Sequence, residues 1–293
     1  MPLRLATRGS ALALAQAGQV AEMLGGAELV EASSDGEPGD KSRFVRGVER
    51  ALLAGEAEVG VHSAKDLPGE MPAELEIGGV PPREDPADAW IGAGSSLQDA
   101  PEGARVGTAS LRRRAQLLAA RPDLRVEDLH GNVDTRLRRL AEGELDAIVL
   151  AAAGLRRLGR EGEIGFAIPT ETMVPAAGQG TLVLQVRAGD EETTAAAGSV
   201  FDLDAARELT AERAAVRLLG ASCTTPVGIF ARIEGARIEI DAFVGLPDGS
   251  EWLRERIEAD AAEPAMAGVQ LAERLLGAGA RDLLDRAEEM GSK

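Results

Sequence analysis

Two turns in this chain set arginine against the start of a helix. Thr7-Arg8-Gly9-Ser10 leads into an alanine- and leucine-rich run over residues 11–24, and Thr108-Ala109-Ser110-Leu111-Arg112-Arg113 opens another that lasts to residue 120. The first backbone N–H groups of a helix lack intrahelical partners and sit at the positive end of its dipole, so such a turn attracts anions. Arginine adds a planar fork suited to carboxylate or phosphate. One such turn reads as an N-cap with surface charge around it; two at equivalent places favour binding. Arg136, Arg156 and Arg157 fall at further helix starts or strand exits, so the ligand carries several acid groups. Neither a Walker motif nor G-x-G-x-x-G occurs, which speaks against a nucleotide.

Lys65-Asp66 follows directly on the apolar strand Val59-Gly60-Val61-His62-Ser63 and precedes Leu67-Pro68. A charged pair at a strand's carboxyl end lies where α/β proteins build their sites. It reads equally as a structural ion pair, but among arginines that hold acid groups a carboxylate has a second use. It accepts hydrogen bonds from ligand N–H groups and stabilises a developing cation. Cys223 is the single cysteine, and cysteine is most often a small buried hydrophobe. Its surroundings, Gly220-Ala221-Ser222-Cys223-Thr224-Thr225-Pro226, instead read as a polar loop in which the sulfur can be reached. His62 and His130 are too few and too far apart for a metal motif, and His62 reads as a structural histidine inside a strand end.

The elements that position these residues recur. A strand over residues 3–6, the turn at residues 7–10 and a helix capped by Ser10 return as the strand Arg105-Val106-Gly107, the turn at residues 108–110 and a helix that Pro122 ends. Gly55-Glu56-Ala57-Glu58-Val59-Gly60-Val61-His62-Ser63-Ala64 likewise matches Gly143-Glu144-Leu145-Asp146-Ala147-Ile148-Val149-Leu150-Ala151-Ala152. The offset falls from 100 (Ser10 to Ser110) to 88 (Gly55 to Gly143), so the first copy carries the longer loops. Two similar α/β halves, each a mostly parallel sheet with helices on both faces, account for this. Facing each other they make a cleft lined by residues 7–10, 63–66, 108–113 and 154–157. The last part differs: a helix over residues 211–219, alternating strands over 228–233, 237–244 and 251–257 with a turn at Pro247-Asp248-Gly249-Ser250, and two closing helices over 264–276 and 281–290. This is a small α+β body.

Composition narrows the classes further. The 293 residues, 44% apolar and 28% charged, suit a globular protein of two or three domains. A net charge of -17, with aromatics at 2% and no tyrosine, argues against a nucleic-acid binder. Yet residues 104–160 hold twelve arginines, no lysine and seven acids, a locally basic segment in an acidic chain. No apolar run reaches membrane-spanning length, the N-terminal residues lack a signal peptide's regions, and one cysteine builds neither a disulfide framework nor a cysteine metal site. A cytoplasmic protein without metal is expected.

Taken in order, Leu5-Ala6-Thr7-Arg8-Gly9-Ser10-Ala11-Leu12-Ala13, Val61-His62-Ser63-Ala64-Lys65-Asp66-Leu67-Pro68, Val106-Gly107-Thr108-Ala109-Ser110-Leu111-Arg112-Arg113, Gly131-Asn132-Val133, Ala153-Gly154-Leu155-Arg156-Arg157-Leu158-Gly159, Pro175-Ala176-Ala177-Gly178-Gln179-Gly180 and Ser222-Cys223-Thr224-Thr225-Pro226-Val227-Gly228 resemble the porphobilinogen deaminase family. The resemblance implies two α/β domains like type 2 periplasmic binding proteins plus a small α+β C-terminal domain. Their implied bounds are residues 1–83 with 175–195, 86–174 and 196–293. It implies a dipyrromethane cofactor in thioether linkage to Cys223 and the deamination and head-to-tail condensation of four porphobilinogen molecules into hydroxymethylbilane. The protein is then a monomeric transferase with a small-molecule substrate and no nucleic-acid or membrane partner. By position, Asp66 matches the catalytic aspartate. Arg8, Ser10, Lys41, Phe44, Lys65, Thr108, Ser110, Arg112, Arg113, Arg136 and Arg157 match the cofactor- and substrate-binding set. His130, also counted in that set, stands where the family usually has an arginine, and the segment over residues 33–41 is shorter than usual. A non-enzymatic binding protein built from two such halves would need neither Cys223 nor a third domain.

Overall fold

The computed structural model describes residues 2–33, 42–222 and 224–291, with residues 42–44 and 291 described by backbone alone. Lys41, Cys223 and the Phe44 side chain therefore lie outside the described residues. The chain divides into two compact units, Met1–Glu84 with Gly180–Ala206, and Asp85–Gln179 with Arg207–Lys293.

The first unit holds β1 (Leu3–Thr7), α1 (Ala11–Met23), β2 (Ala27–Glu31), α2 (Ser42–Leu53), β3 (Val59–Ser63), β4 (Leu75–Gly79), β10 (Leu182–Arg187) and α6 (Glu191–Gly198). Its sheet runs β2-β1-β3-β10-β4. Small residues on one face of α1 (Ala17, Ala21) let that helix lie close to the sheet, where they and Val20 bury against Leu5, Val59 and Leu184.

The second unit repeats the plan with β5 (Asp88–Gly92), β6 (Arg105–Gly107), α3 (Leu111–Ala120), β7 (Arg125–Glu127), α4 (Val133–Ala141), β8 (Ala147–Ala151), α5 (Ala152–Arg157) and β9 (Phe166–Ile168), in the order β7-β6-β8-β5-β9. Trp90, fully buried, stacks on Phe166 with ring centroids 5.8 Å apart at the heart of this core.

The duplication is visible at atomic detail. Arg4 donates from its backbone to Glu58 at 2.8 Å and from Nη2 to the Gly55 carbonyl at 3.0 Å. Arg105 does the same to Asp146 at 2.8 Å and to the Gly143 carbonyl at 3.2 Å. Each arginine fastens the start of one strand to the start of its parallel neighbour.

In each sheet four of the five strands run in one direction, as the sequence reading expects, and one is reversed: β1 pairs parallel with β2 and β3, but β10 runs antiparallel to both β3 and β4. In the other sheet β5 is antiparallel to β8 and β9. The reason is the point of entry. The strand arriving from the other unit begins beside the end of its neighbour, Leu182 opposite Ser63 and Asp88 opposite Ala151, so it must run backwards.

The small α+β body, apart from the first four residues of its opening helix, forms the rest of the second unit: α7 (Leu203–Leu219), β11 (Val227–Glu234), β12 (Arg237–Gly245), β13 (Trp252–Asp260), α8 (Pro264–Gly277) and α9 (Ala280–Gly291). Its three strands form an antiparallel meander. Helix α7 starts eight residues earlier than its apolar pattern suggests, because the Asp202 carboxylate accepts the Ala205 N–H at 2.8 Å and acts as a cap. The first unit ends at residue 206, and the segment over residues 175–179 lies in the second unit, where the hydrogen bonds described below hold it.

Candidate functional site

In the first unit, β3 runs into a single 3-10 turn, Ala64–Asp66, which turns Asp66 outward while Ala64 stays buried. The turn is anchored twice. The Ala64 N–H donates to the Thr181 carbonyl at 3.0 Å, and Gln16, buried on α1, donates to the Ser63 hydroxyl at 2.9 Å. Ser10 caps α1, its hydroxyl accepting the Ala13 N–H at 3.3 Å, and leaves Arg8 at the helix entrance. Arg8 Nη1 lies 4.0 Å from Asp66 Oδ2, with 48% of the aspartate side chain exposed. A carboxylate so exposed, with a cation nearby, stays available to a ligand. Lys65 is half-buried beside it.

Behind this turn His62 is buried and donates from Nε2 to the Gln185 side-chain oxygen at 2.9 Å, while Gln185 Nε2 donates to buried Glu49 at 3.2 Å. The direction follows because the Gln185 amide nitrogen already faces a carboxylate. Burial, followed by the charge of Arg8, pushes the His62 imidazole down to about 4 against the opposing pull of Gln185. It is neutral at physiological pH and serves as a structural residue.

In the second unit the equivalent turn is built from Thr108 and Ser110. Buried Thr108 accepts the Ser110 N–H at 3.2 Å, and Ser110 caps α3 by accepting the Arg113 N–H at 3.4 Å. Arg112 and Arg113 do not project from that turn as open forks. Both are buried and converge on Asp88, a fully buried residue. Arg112 reaches it at 2.6 and 3.1 Å, and Arg113 at 2.9 Å from Nε and 2.8 Å from Nη2. Burial alone would raise the Asp88 carboxyl; the two guanidinium charges and the bonds from Arg112 and Gln179 reverse this and hold it far below the usual carboxylate range. The sequence reading missed Asp88. Its signal was an acid among Ala87, Ala89, Trp90 and Ile91, where a charge survives only if paired.

Arg136 is different. Its Nε donates to the Gly131 carbonyl at 2.9 Å, and among the described residues it meets no carboxylate. Burial, and then the charge of Arg113, lower its guanidinium to about 10. It is a half-buried cation beside a second cation, without a counterion among the described residues. It lies on the first turn of α4, capped by Asn132, whose side chain accepts the Thr135 N–H at 2.8 Å. Exposed His130 precedes it, and half-buried Arg157 closes α5. Most other arginines of the basic segment meet acids of their own, Arg114 with Asp128, Arg121 with Asp123, Arg138 with Glu142, Arg139 with Glu144, Arg156 with Asp85 and Arg160 with Asp134.

Comparison with known proteins gives two consecutive family matches. Residues 3–195 match "Porphobilinogen deaminase, dipyromethane cofactor binding domain" and residues 206–277 match "Porphobilinogen deaminase, C-terminal domain". The chain is 43% identical to porphobilinogen deaminase of Syntrophus aciditrophicus over 98% of its own length and 99% of that protein's. It is 43% identical to that of Thermus thermophilus over 95% and 96%. Among solved structures, the L-cystine solute receptor of Neisseria gonorrhoeae aligns at 15% identity and a TM-score of 0.41, covering 76% of this chain and 94% of that one.

Proposed function

This chain belongs to the porphobilinogen deaminase family, and we propose that it deaminates four porphobilinogen molecules and joins them head to tail into hydroxymethylbilane. The observation that carries the reading is Arg136, a half-buried guanidinium next to Arg113 that lacks a carboxylate of its own among the described residues. Pyrrole rings bearing acetate and propionate groups supply the missing acids. The donor set fits such a chain: helix entrances capped by Ser10, Ser110 and Asn132, each with arginine within the adjoining turn.

When bound through Cys223, the dipyrromethane supplies the pyrrole carbon on which the chain grows. Arg136, with Arg157 and the N–H groups left over on Arg112 and Arg113, holds acid groups by charge-assisted hydrogen bonds. Asp88 takes up one positive charge of the Arg112–Arg113 pair, so the pair presents a net single charge and a fixed geometry. Arg8 and Lys65 add cations near Asp66. Asp66 accepts hydrogen bonds from pyrrole and amine N–H groups and stabilises positive charge as it develops on nitrogen when ammonia leaves.

We also keep as proposals a division into three domains, a monomeric state and a cytoplasmic location. No helix among the described residues is long and apolar enough to cross a membrane. The test is the intact mass of freshly purified active protein, expected to exceed the bare chain by two linked pyrrole units, with Cys223→Ala removing the increment. Active protein of bare-chain mass would overturn the attachment.

A further inference from the structure

The segment over residues 174–179 is a stretch without helix or strand, yet it is held on every side inside the second unit. From one side, Arg112 and Gln116 of α3 both donate to the Val174 carbonyl, at 2.8 and 3.0 Å, and Gln116 accepts the Val174 N–H at 2.7 Å. Gln179 donates to Asp88 at 2.9 Å and to the Pro86 carbonyl at 2.7 Å. From the other side, fully buried Glu212 of α7 accepts the Gly178 N–H at 2.5 Å with one oxygen and the Ala231 N–H of β11 at 2.8 Å with the other. The Ile229 N–H donates to the Pro175 carbonyl at 2.9 Å. Even the approach is enforced by composition: a Cβ on Gly228 would stand 2.5 Å from the Val174 carbonyl oxygen.

Helix α7 and strand β11 are the two flanks of the loop that carries Cys223. Glu212 thus ties both flanks to the segment over residues 174–179, and Asp88 ties that segment to the arginine-bearing start of α3. We infer that Asp88 and Glu212 are positioning residues, two buried carboxylates that grip one segment from opposite sides and keep the cysteine loop in a fixed frame with Arg112 and Arg113. The inference rests on the reading in which Cys223 bears the growing chain and the arginines hold its acid groups. A tether and a set of forks acting on one molecule must keep their separation.

The test is hydrogen exchange on the full chain, with steady-state kinetics, for Asp88→Asn, Glu212→Gln and the double variant. Among the described residues the Asp88 carboxylate bonds only to Arg112, Arg113 and Gln179, none of them in the α+β body, so a local effect of Asp88→Asn stops there. The expected result is that Asp88→Asn speeds exchange at Gly178, Ala231 and residues 222–225 as Glu212→Gln does. Each single variant should lose about 10²-fold in kcat, the scale of a misplaced reactant, with KM near that of the parent. The double variant should be little worse than either, because both release the same segment. Glu212→Asp and Asp88→Glu, which keep the charge but shift the oxygens, give the same readings should a neutral variant not fold. Unchanged exchange over residues 222–225 in Asp88→Asn, or kcat losses that multiply in the double variant, overturns the inference. A parent protein that does not consume porphobilinogen defeats the functional reading instead, and leaves the exchange coupling standing.

Discussion

Arg8 and Asp66 approach to 4.0 Å in the first unit, near enough for each charge to steady the other and too far for a direct hydrogen bond. The aspartate keeps its acceptor capacity for a ligand. Asp66→Asn preserves shape and one acceptor oxygen but removes the charge, so kcat should fall by about 10²–10³ while KM changes little. Asp66→Glu should retain part of the activity with misplaced oxygens. Single-turnover ammonia release measures both. Turnover of Asp66→Asn within a few-fold of the parent would show that the cation is stabilised elsewhere.

Arg136→Lys keeps the charge and loses the planar fork, and Arg136→Ala loses both. A hydrogen bond to a charged group contributes on the order of 1.5–3 kcal/mol, so Arg136→Ala should raise KM by about tenfold to a hundredfold, with Arg136→Lys in between. Arg138→Lys serves as the control, since Arg138 pairs on the surface with Glu142 and should leave KM unchanged. Equal KM in all three variants would return Arg136 to the solvated face.

His62 gives a pH signature in stability rather than in rate. Its folded pKa, about 4, lies below the unfolded value of ~6.5, so the unfolded chain binds the extra proton. The contribution is complete above about pH 6.5 and is lost as pH falls toward 4, at about 1.4 kcal/mol per unit within that window. Urea unfolding at pH 6.5 and 5 should differ by about 2 kcal/mol from this residue. His62→Gln should flatten the slope; an unchanged slope would mean the ring is not held neutral.

His130 is exposed immediately ahead of the α4 entrance. His130→Arg adds a guanidinium near Arg136 and should lower KM several-fold if that entrance binds the acid groups. Isothermal titration with porphobilinogen on the slowed Asp66→Asn background reads the affinity with little turnover. No gain would place the acid groups elsewhere.

Much of this was legible in the order of residues. Ser10 and Ser110 are the helix caps that their positions indicate, and the repeated phrases around residues 55–64 and 143–152 end in matching Arg4–Glu58 and Arg105–Asp146 fastenings. What escaped depends on partners distant in sequence. Nothing near Leu182 announces that it lies opposite Ser63, so the reversed strand was unreadable. The arginines at residues 112 and 113 look alike to Arg136 in type and setting. Only the fold reveals that Asp88, 24 residues before Arg112, already occupies the first two. Glu212 escaped because an acid in a helix is ordinary until the helix is found buried there.

The place of β10 bears on how the protein is made. It fills the gap between β3 and β4, yet it is translated about a hundred residues after β4 ends. While the ribosome is still reading the second half, the N-terminal sheet is split, with two unpaired edges open to wrong partners. The sheet over residues 88–168 needs nothing from outside that interval to pair its strands and can close during this wait. The part of the protein synthesised first is therefore completed second, and its safe passage depends on how fast residues 182–187 follow.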